Sequence, residues 1–350
     1  MFQHVLVPLD GSVRAERAIH VAARLVRASG GTLTLLRIVT YPAHVEYLPA
    51  APTMSGIYLF DQQKAIEEAQ WYLKQLVLSR SELQGLQVVT NVYSGVPAQM
   101  ILRYAQAENV DLIVMCSHGD TGFRRWMLGS VALQVSRHAA MPVMVLNAHG
   151  DVTLLGQPSA ERPLRVLLAL DGSPLAESAL VPAAQLCAAL AAPAQGVLHL
   201  VIVAPLLQLI WDREDVSGHV HKEHMEAARL YLDEVEQRLR EGDLAQLNLA
   251  VSSSVVGEND VADVLIRVAE QGEYVKDLKD FRGCDMIAMA THGRSGLTRW
   301  TMGSITERVL GATRLPLLVV RPHPSKTEKK ASEAEKHIPE PEQTSWVGLF

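Results

Sequence analysis

One segment of this chain occurs twice. Residues 115–119 read Met115-Cys116-Ser117-His118-Gly119, and after nine intervening residues Gly129-Ser130 opens an amphipathic stretch. The pattern returns as Met289-Ala290-Thr291-His292-Gly293, nine residues, then Gly303-Ser304. Each copy follows a short apolar run (112–115 and 286–289) that predicts a buried strand, and each leads into helical periodicity. A strand, a Gly-containing loop and a helix start gather backbone N–H groups and the positive end of a helix dipole around one point, where an anion can sit. The chain is therefore expected to fold as two copies of one α/β unit, each with a candidate phosphate cradle.

The rest of the chain repeats in the same order. Residues 4–9 form an apolar run ending in Asp10-Gly11-Ser12, and residues 164–170 form another ending in Asp171-Gly172-Ser173. Each serine is a candidate N-cap for a helix whose apolar positions fall at helical spacing: Ala18, Ile19, Ala22, Leu25 and Val26, then Ala179, Leu180, Ala183, Leu186 and Leu190. Second strands are expected at 33–39 and 197–204, third strands at 87–93 and 250–256, and Pro-initiated last strands at 142–146 and 316–320. Between the second strands and the charged helices expected at 62–82 and 220–241 lie connections 41–58 and 205–218, long enough to read as lids or binding loops. The offset between copies grows from 161 residues at the first Asp to 174 at the Gly-Ser pair, and the thirteen extra residues are expected mostly in the charged stretch 274–283.

Strands alternating with helices predict an α/β fold of two doubly wound, five-stranded parallel sheets in tandem, Rossmann-like in type. The expected units are 1–148 and 163–322, with a linker at 149–162. Residues 323–350 are rich in Lys, Glu and Pro and are expected to be disordered; the apolar 346–350 read as a loose tail, with a docking motif as the sharper alternative. In open parallel sheets ligands bind beyond the carboxyl ends of the strands where the strand order reverses, so Asp10 and the Cys116 loop should meet there.

Composition narrows the function. A chain of 350 residues with 48% hydrophobic content can bury two cores, and a net charge of −6 argues against general nucleic-acid binding. Cys116, Cys187 and Cys284 lie far apart in apolar runs, which suggests reduced thiols. Met1 leads directly into a strand, without a basic region and apolar signal core, so a cytoplasmic location is expected. Residues 178–211 contain no Asp, Glu, Lys or Arg, yet Pro182, Pro193, Gly196 and Pro205 interrupt them, and Arg24 and Arg27 occupy the matching part of the first half. A buried helix, a turn and a buried strand are expected there, not a membrane span.

The pattern C/A-2x-Gly-9x-Gly-Ser after the fourth strand, together with an Asp closing the first, resembles the universal stress protein domain, whose hallmark is G-2x-G-9x-G-[S/T]. The resemblance covers nearly all of residues 1–322 as a tandem pair and implies an adenine nucleotide alpha hydrolase-like sheet and, in part of the family, ATP binding. Position by position it implies Asp10 and Asp171 at the adenosine end, Val39 and Val203 flanking adenine, and Gly119, Gly129, Ser130, Gly293, Gly303 and Ser304 around the phosphates. Met115, Cys116, His118 and Val131 complete the first implied site; Met289, Ala290, His292, Ile305 and Thr306 complete the second. Both copies depart at the first glycine, which is Cys116 or Ala290, and a side chain there narrows the space near the ribose. Thr306 stands where the first half has Ala132 and adds a hydroxyl near the second helix mouth. The resemblance also implies edge-to-edge pairing of last strands, here 142–146 with 316–320 inside one chain, with further self-association left open.

Plainer readings stand beside these. Asp10 and Asp171 could simply cap helices, Gly129 and Gly303 could permit close packing, and Gly119 and Gly293 could supply positive φ. His118 and His292 lack an evident carboxylate partner for catalysis, Arg124, Arg125 and Arg299 could reach phosphate while Trp126 and Trp300 anchor the loops, and His219, His221 and His224 read as a solvated helix start rather than a metal site. The expected mechanism is binding of ATP with Mg²⁺, at most slow hydrolysis, since no Walker-type Lys follows the glycines. The alternatives are a scaffold of the same fold that binds no nucleotide, and a slow ATPase.

Overall fold

The computed structural model describes residues 2–40, 52–117, 129–147, 162–204, 214–273, 275, 281–293 and 302–322. Linker residues 149–161, the tail, His118, Gly119 and the Arg/Trp residues of both loops lie outside the described residues.

In the first half the order is β1 (His4–Leu9), α1 (Val13–Ser29), β2 (Thr32–Val39), α2 (Pro52–Ser79), β3 (Gln87–Ser94), α3 (Pro97–Ala107), β4 (Leu112–Cys116), α4 (Ser130–His138) and β5 (Val143–Leu146). The second half runs β6 (Arg165–Leu170), α5 (Pro174–Glu177), α6 (Leu180–Ala191), β7 (Gly196–Ala204), α7 (Glu214–Glu241), β8 (Leu249–Gly257), α8 (Val261–Gln271), β9 (Met286–Ala290), α9 (Ser304–Ala312) and β10 (Leu317–Val320). Two helices begin earlier than expected. Pro52 opens α2, where a missing N–H costs nothing, and α7 begins at Glu214. Each long connection is shortened accordingly.

The strands form one sheet of ten in the order β3-β2-β1-β4-β5-β10-β9-β6-β7-β8. Within each half every pairing is parallel, and the halves join where β5 and β10 run antiparallel, Leu317 opposite Val145, Leu318 opposite Met144 and Val319 opposite Val143. The two five-stranded sheets are thus halves of a continuous one, and each last-strand edge is covered by the other. The Asn147 amide donates to the Thr313 carbonyl and Arg321 reaches the His138 carbonyl across the same seam. Strand register places Gln87 in correspondence with Ala250 (an offset of 163) and Leu112 with Met286 (174), so eleven of the extra residues enter between β8 and β9.

Two apolar layers flank the sheet, and each runs across both halves. One face carries α1, α2, α5, α6 and α7, with Ile19, Leu25, Leu73, Leu186 and Val235 among its buried residues; the other carries α3, α4, α8 and α9 with Ile101, Val135, Leu265 and Val309. The described part of the charge-free stretch, 178–204, supplies α6 to the first of these layers and β7 to the sheet. Leu180–Ala191 is mostly buried against the sheet, and the apolar helical run reaches 18 residues only when α5 and α6 are counted together.

Candidate functional site

Each half reverses its strand order between the first and fourth strands, so β1 and β4, and β6 and β9, open a crevice at their carboxyl ends. The turn after β1 is built by its own sequence. Gly11 takes φ +89° and Gly172 +79°, a region costly for any residue with a Cβ. Beyond the glycine, Asp10 Oδ1 accepts from the Ser12 N–H (2.9 Å) and hydroxyl (2.7 Å), and Ser12 Oγ accepts from Ala15 N (3.1 Å). The second half repeats this at Asp171, Ser173 and Ala176 with 2.9, 2.6 and 3.2 Å. The serine is therefore the helix cap and the aspartate orients it, using one carboxylate oxygen.

The other oxygen of Asp171 faces the loop after β9. A Cβ built on Gly293 would lie 1.9 Å from Asp171 Oδ2, so the two strand tips touch and glycine is required there by space. Positive φ is not the reason, because Gly293 lies outside the left-handed region. Its neighbour His292 shares a hydrogen bond with the Thr291 hydroxyl through Nδ1 (3.0 Å), while Nε2 is buried with no partner among the described residues.

Glycine also opens both helices. Gly129 (φ −61°) and Gly303 (φ −63°) are N-caps with ordinary extended backbone and no side-chain cap. Their own N–H groups turn back to Ser117 O (2.8 Å) and Thr291 O (2.9 Å), and the first intrahelical bonds come from Leu133 N and Glu307 N. The amides of Ser130, Val131 and Ala132, and of Ser304, Ile305 and Thr306, consequently have no acceptor within their helices. A Cβ on Gly303 would stand 2.8 Å from Thr291 O, so close seating of the helix on the loop is a second reason for that glycine.

Other implied site residues have structural partners. Cys116 Sγ donates to Arg14 O in the first turn of α1 (2.9 Å), and burial pushes its thiol up to about 11. Cys116 and Ala290 both pack in the layer with α1 and α6, whereas Met115 and Met289 are buried in the opposite one. The Thr306 hydroxyl is buried and donates to Ala290 O (3.0 Å), which leaves its backbone N–H for the mouth. Ser130 and Ser304 are exposed, and Val131 and Ile305 are half-buried beside the α4 and α9 layer. Register separates the two valines: Leu9 pairs with Arg37 and Leu170 with Ile202, so Val203 corresponds to Ile38, while Val39 corresponds to Ala204. Ile38 and Val203 pack on the same layer as the helix mouths.

A repeated cluster was missed in the sequence. Glu16 accepts from the Tyr72 hydroxyl (2.9 Å) and pairs with Arg80; Glu177 accepts from Tyr231 (2.8 Å) and from Arg238 (2.9 and 3.0 Å). Burial alone would raise the Glu177 carboxyl, but the bonds from Arg238 and Tyr231 outweigh it and hold the group below its ordinary value. Each cluster ties the long helix that follows the second strand to the helix that follows the aspartate turn. The signal was a glutamate six residues beyond each aspartate.

A duplicated α/β sheet with a glycine-opened helix mouth at each reversal of strand order defines a tandem Rossmann-like protein. The profile of the Universal stress protein family matches residues 1–147 and 164–321, and the chain belongs to that family. A universal stress protein of Mycolicibacterium smegmatis is 27% identical over 324 residues, covering 91% of this chain and 97% of its own, and one of Mycobacterium tuberculosis is 26% identical over 325 residues with the same coverage. Among solved structures, a universal stress protein from Archaeoglobus fulgidus superimposes with a TM-score of 0.55 at 18% identity, covering 91% of this chain and 97% of that one; this is a likeness of fold.

Proposed function

We propose that this protein binds ATP as a nucleotide-responsive regulator of a stress response, and that binding rather than turnover is its activity. The observation that carries the reading is the meeting of the Asp171 carboxylate with Gly293 beside the uncapped start of α9. A carboxylate for the adenosine end and three amides for phosphate oxygens then face one crevice. The unpartnered Nε2 of His292 beside them adds a group suited to a ligand or water. Phosphates would lie on the amides of residues 130–132 and 304–306, with adenine against Ile38 and Val203.

Among the described residues no group of three or more His, Cys, Asp or Glu side chains could hold a metal ion. Mg²⁺ accompanying ATP would bind phosphate oxygens, its contribution being neutralisation of phosphate charge. Cys116 and Ala290, in place of the first glycine of the motif, favour the competing reading of a scaffold that binds no nucleotide.

Calorimetric titration with ATP·Mg²⁺, paired with thermal melts, separates these readings. Ligand at a hundredfold over Kd should stabilise each occupied half by about 2.7 kcal/mol. No heat and no shift at saturating ATP would leave the scaffold, and steady phosphate release in parallel would point to an ATPase.

A further inference from the structure

The two halves are not equivalent at their helix mouths. Glu307 occupies the first turn of α9, and its carboxylate is held by Arg137 of the first half, Nη2 to Oε1 at 2.6 Å. Arg137 lies in the last turn of α4, the helix whose own start is the other mouth. The pair crosses the β5–β10 seam and is half-exposed, with side-chain accessibilities of 35% and 46%. The 174-residue offset sets Leu133 opposite Glu307 and Gly311 opposite Arg137, so the first mouth has neither the carboxylate nor its cation.

A carboxylate in the first helical turn competes with phosphate for the positive potential of the helix start. Left alone, Glu307 would repel a polyphosphate at residues 304–306. We propose that Arg137 is a positioning residue for the second site: it draws the Glu307 carboxylate across the seam and neutralises it, so that the first half sets the phosphate affinity of the second. This inference rests on the proposed nucleotide binding. Because α4 carries Arg137 at its far end, changes at the first mouth have a mechanical route to the second, and any coupling of the two occupancies through it is reciprocal.

The test uses the full chain with Ser130→Glu, which places a carboxylate at the exposed start of α4 and silences the first mouth. ATP·Mg²⁺ affinity is then measured by titration for Arg137→Ala, Glu307→Gln, the double variant and Arg137→Lys. Arg137→Ala should weaken binding about threefold and Glu307→Gln should tighten it about threefold, the scale of a half-exposed charge pair. The double variant should return to the parent affinity, Arg137→Lys should remain near it, and the single-variant effects should shrink in high salt. A merely structural pair would move the melting temperature of the nucleotide-free chain but would not make Glu307→Gln bind more tightly. Equal affinity for Arg137→Ala and the double variant would overturn the inference while leaving nucleotide binding intact. Absence of ATP binding in both the Ser130→Glu chain and the unsubstituted chain would overturn both.

Discussion

Replacing Gly293 with alanine tests the geometry of the second crevice directly. The added methyl would sit 1.9 Å from Asp171 Oδ2, and real Cβ contacts almost never fall under 3.0 Å, so the loop and the carboxylate must separate by about 1 Å. Backbone conformation is not an obstacle at this glycine, so the whole effect comes from Asp171. If the carboxylate moves, it surrenders the bonds from Ser173 N and Oγ that hold the α5 cap; if the loop moves, the approach to Gly303 loosens. Either route should cost about 1–3 kcal/mol, the usual range for an overpacked site, and lower the melting temperature by several degrees. ATP binding at the second mouth should weaken along with it. Gly311→Ala is the matched control, because a Cβ there meets nothing within 4 Å and the residue lies inside α9, so stability should rise by about 0.5–1 kcal/mol. A Gly293→Ala chain that melts and binds ATP like its parent would refute the contact between the strand tips.

Two further outcomes follow from buried groups. His199 is fully buried on β7, bonded to Ser252 Oγ (2.9 Å) and Ser254 Oγ (3.0 Å), and burial, aided by the Arg165 charge, pushes its pKa down to about 4. A depressed pKa gives stability that is present above about 6.5 and lost as pH falls through 4, roughly 3 kcal/mol from this group; acid melts of His199→Gln should show a shallower decline across that window, and parallel curves would contradict the assignment. Burial raises the thiols of Cys116 to about 11 and Cys187 to about 12, so alkylation at pH 8 should be slow in the native chain and complete for all three cysteines in denaturant, with alkaline destabilisation setting in as pH rises above about 9.

The first and third strands of each half are legible because their runs stop at a chemically distinct punctuation, Asp-Gly-Ser or Gly, and the others because the second copy repeats the first. The starts of α2 and α7 are not, since Pro52 and the residues near Gly218 read as breakers until the helix around them is seen to tolerate them. The resemblance implies Val39 and Val203 as counterparts, whereas equivalence is set by pairing with β1 and β6, which a single strand does not reveal. His199 is a lone histidine in an apolar strand, and nothing in that strand marks its partners. Its signal was the period-two pair Ser252 and Ser254 on a strand that only the sheet brings alongside. The sequence places the Thr306 hydroxyl near the helix mouth but does not show its direction, because a hydroxyl near a helix start can turn inward to a carbonyl as readily as outward.

The antiparallel seam between β5 and β10 has a consequence for how this molecule can vary. Two separate copies meeting through that edge would have to be self-complementary, every residue serving both sides of a twofold axis. Here the partner is tethered in the same polypeptide, so the interface persists at any dilution and its sides are free to differ. Arg137 facing Glu307, with Leu133 and Gly311 at the mirrored positions, is an asymmetry that a true homodimer could not hold, and it gives the two lobes different parts in one electrostatic contact.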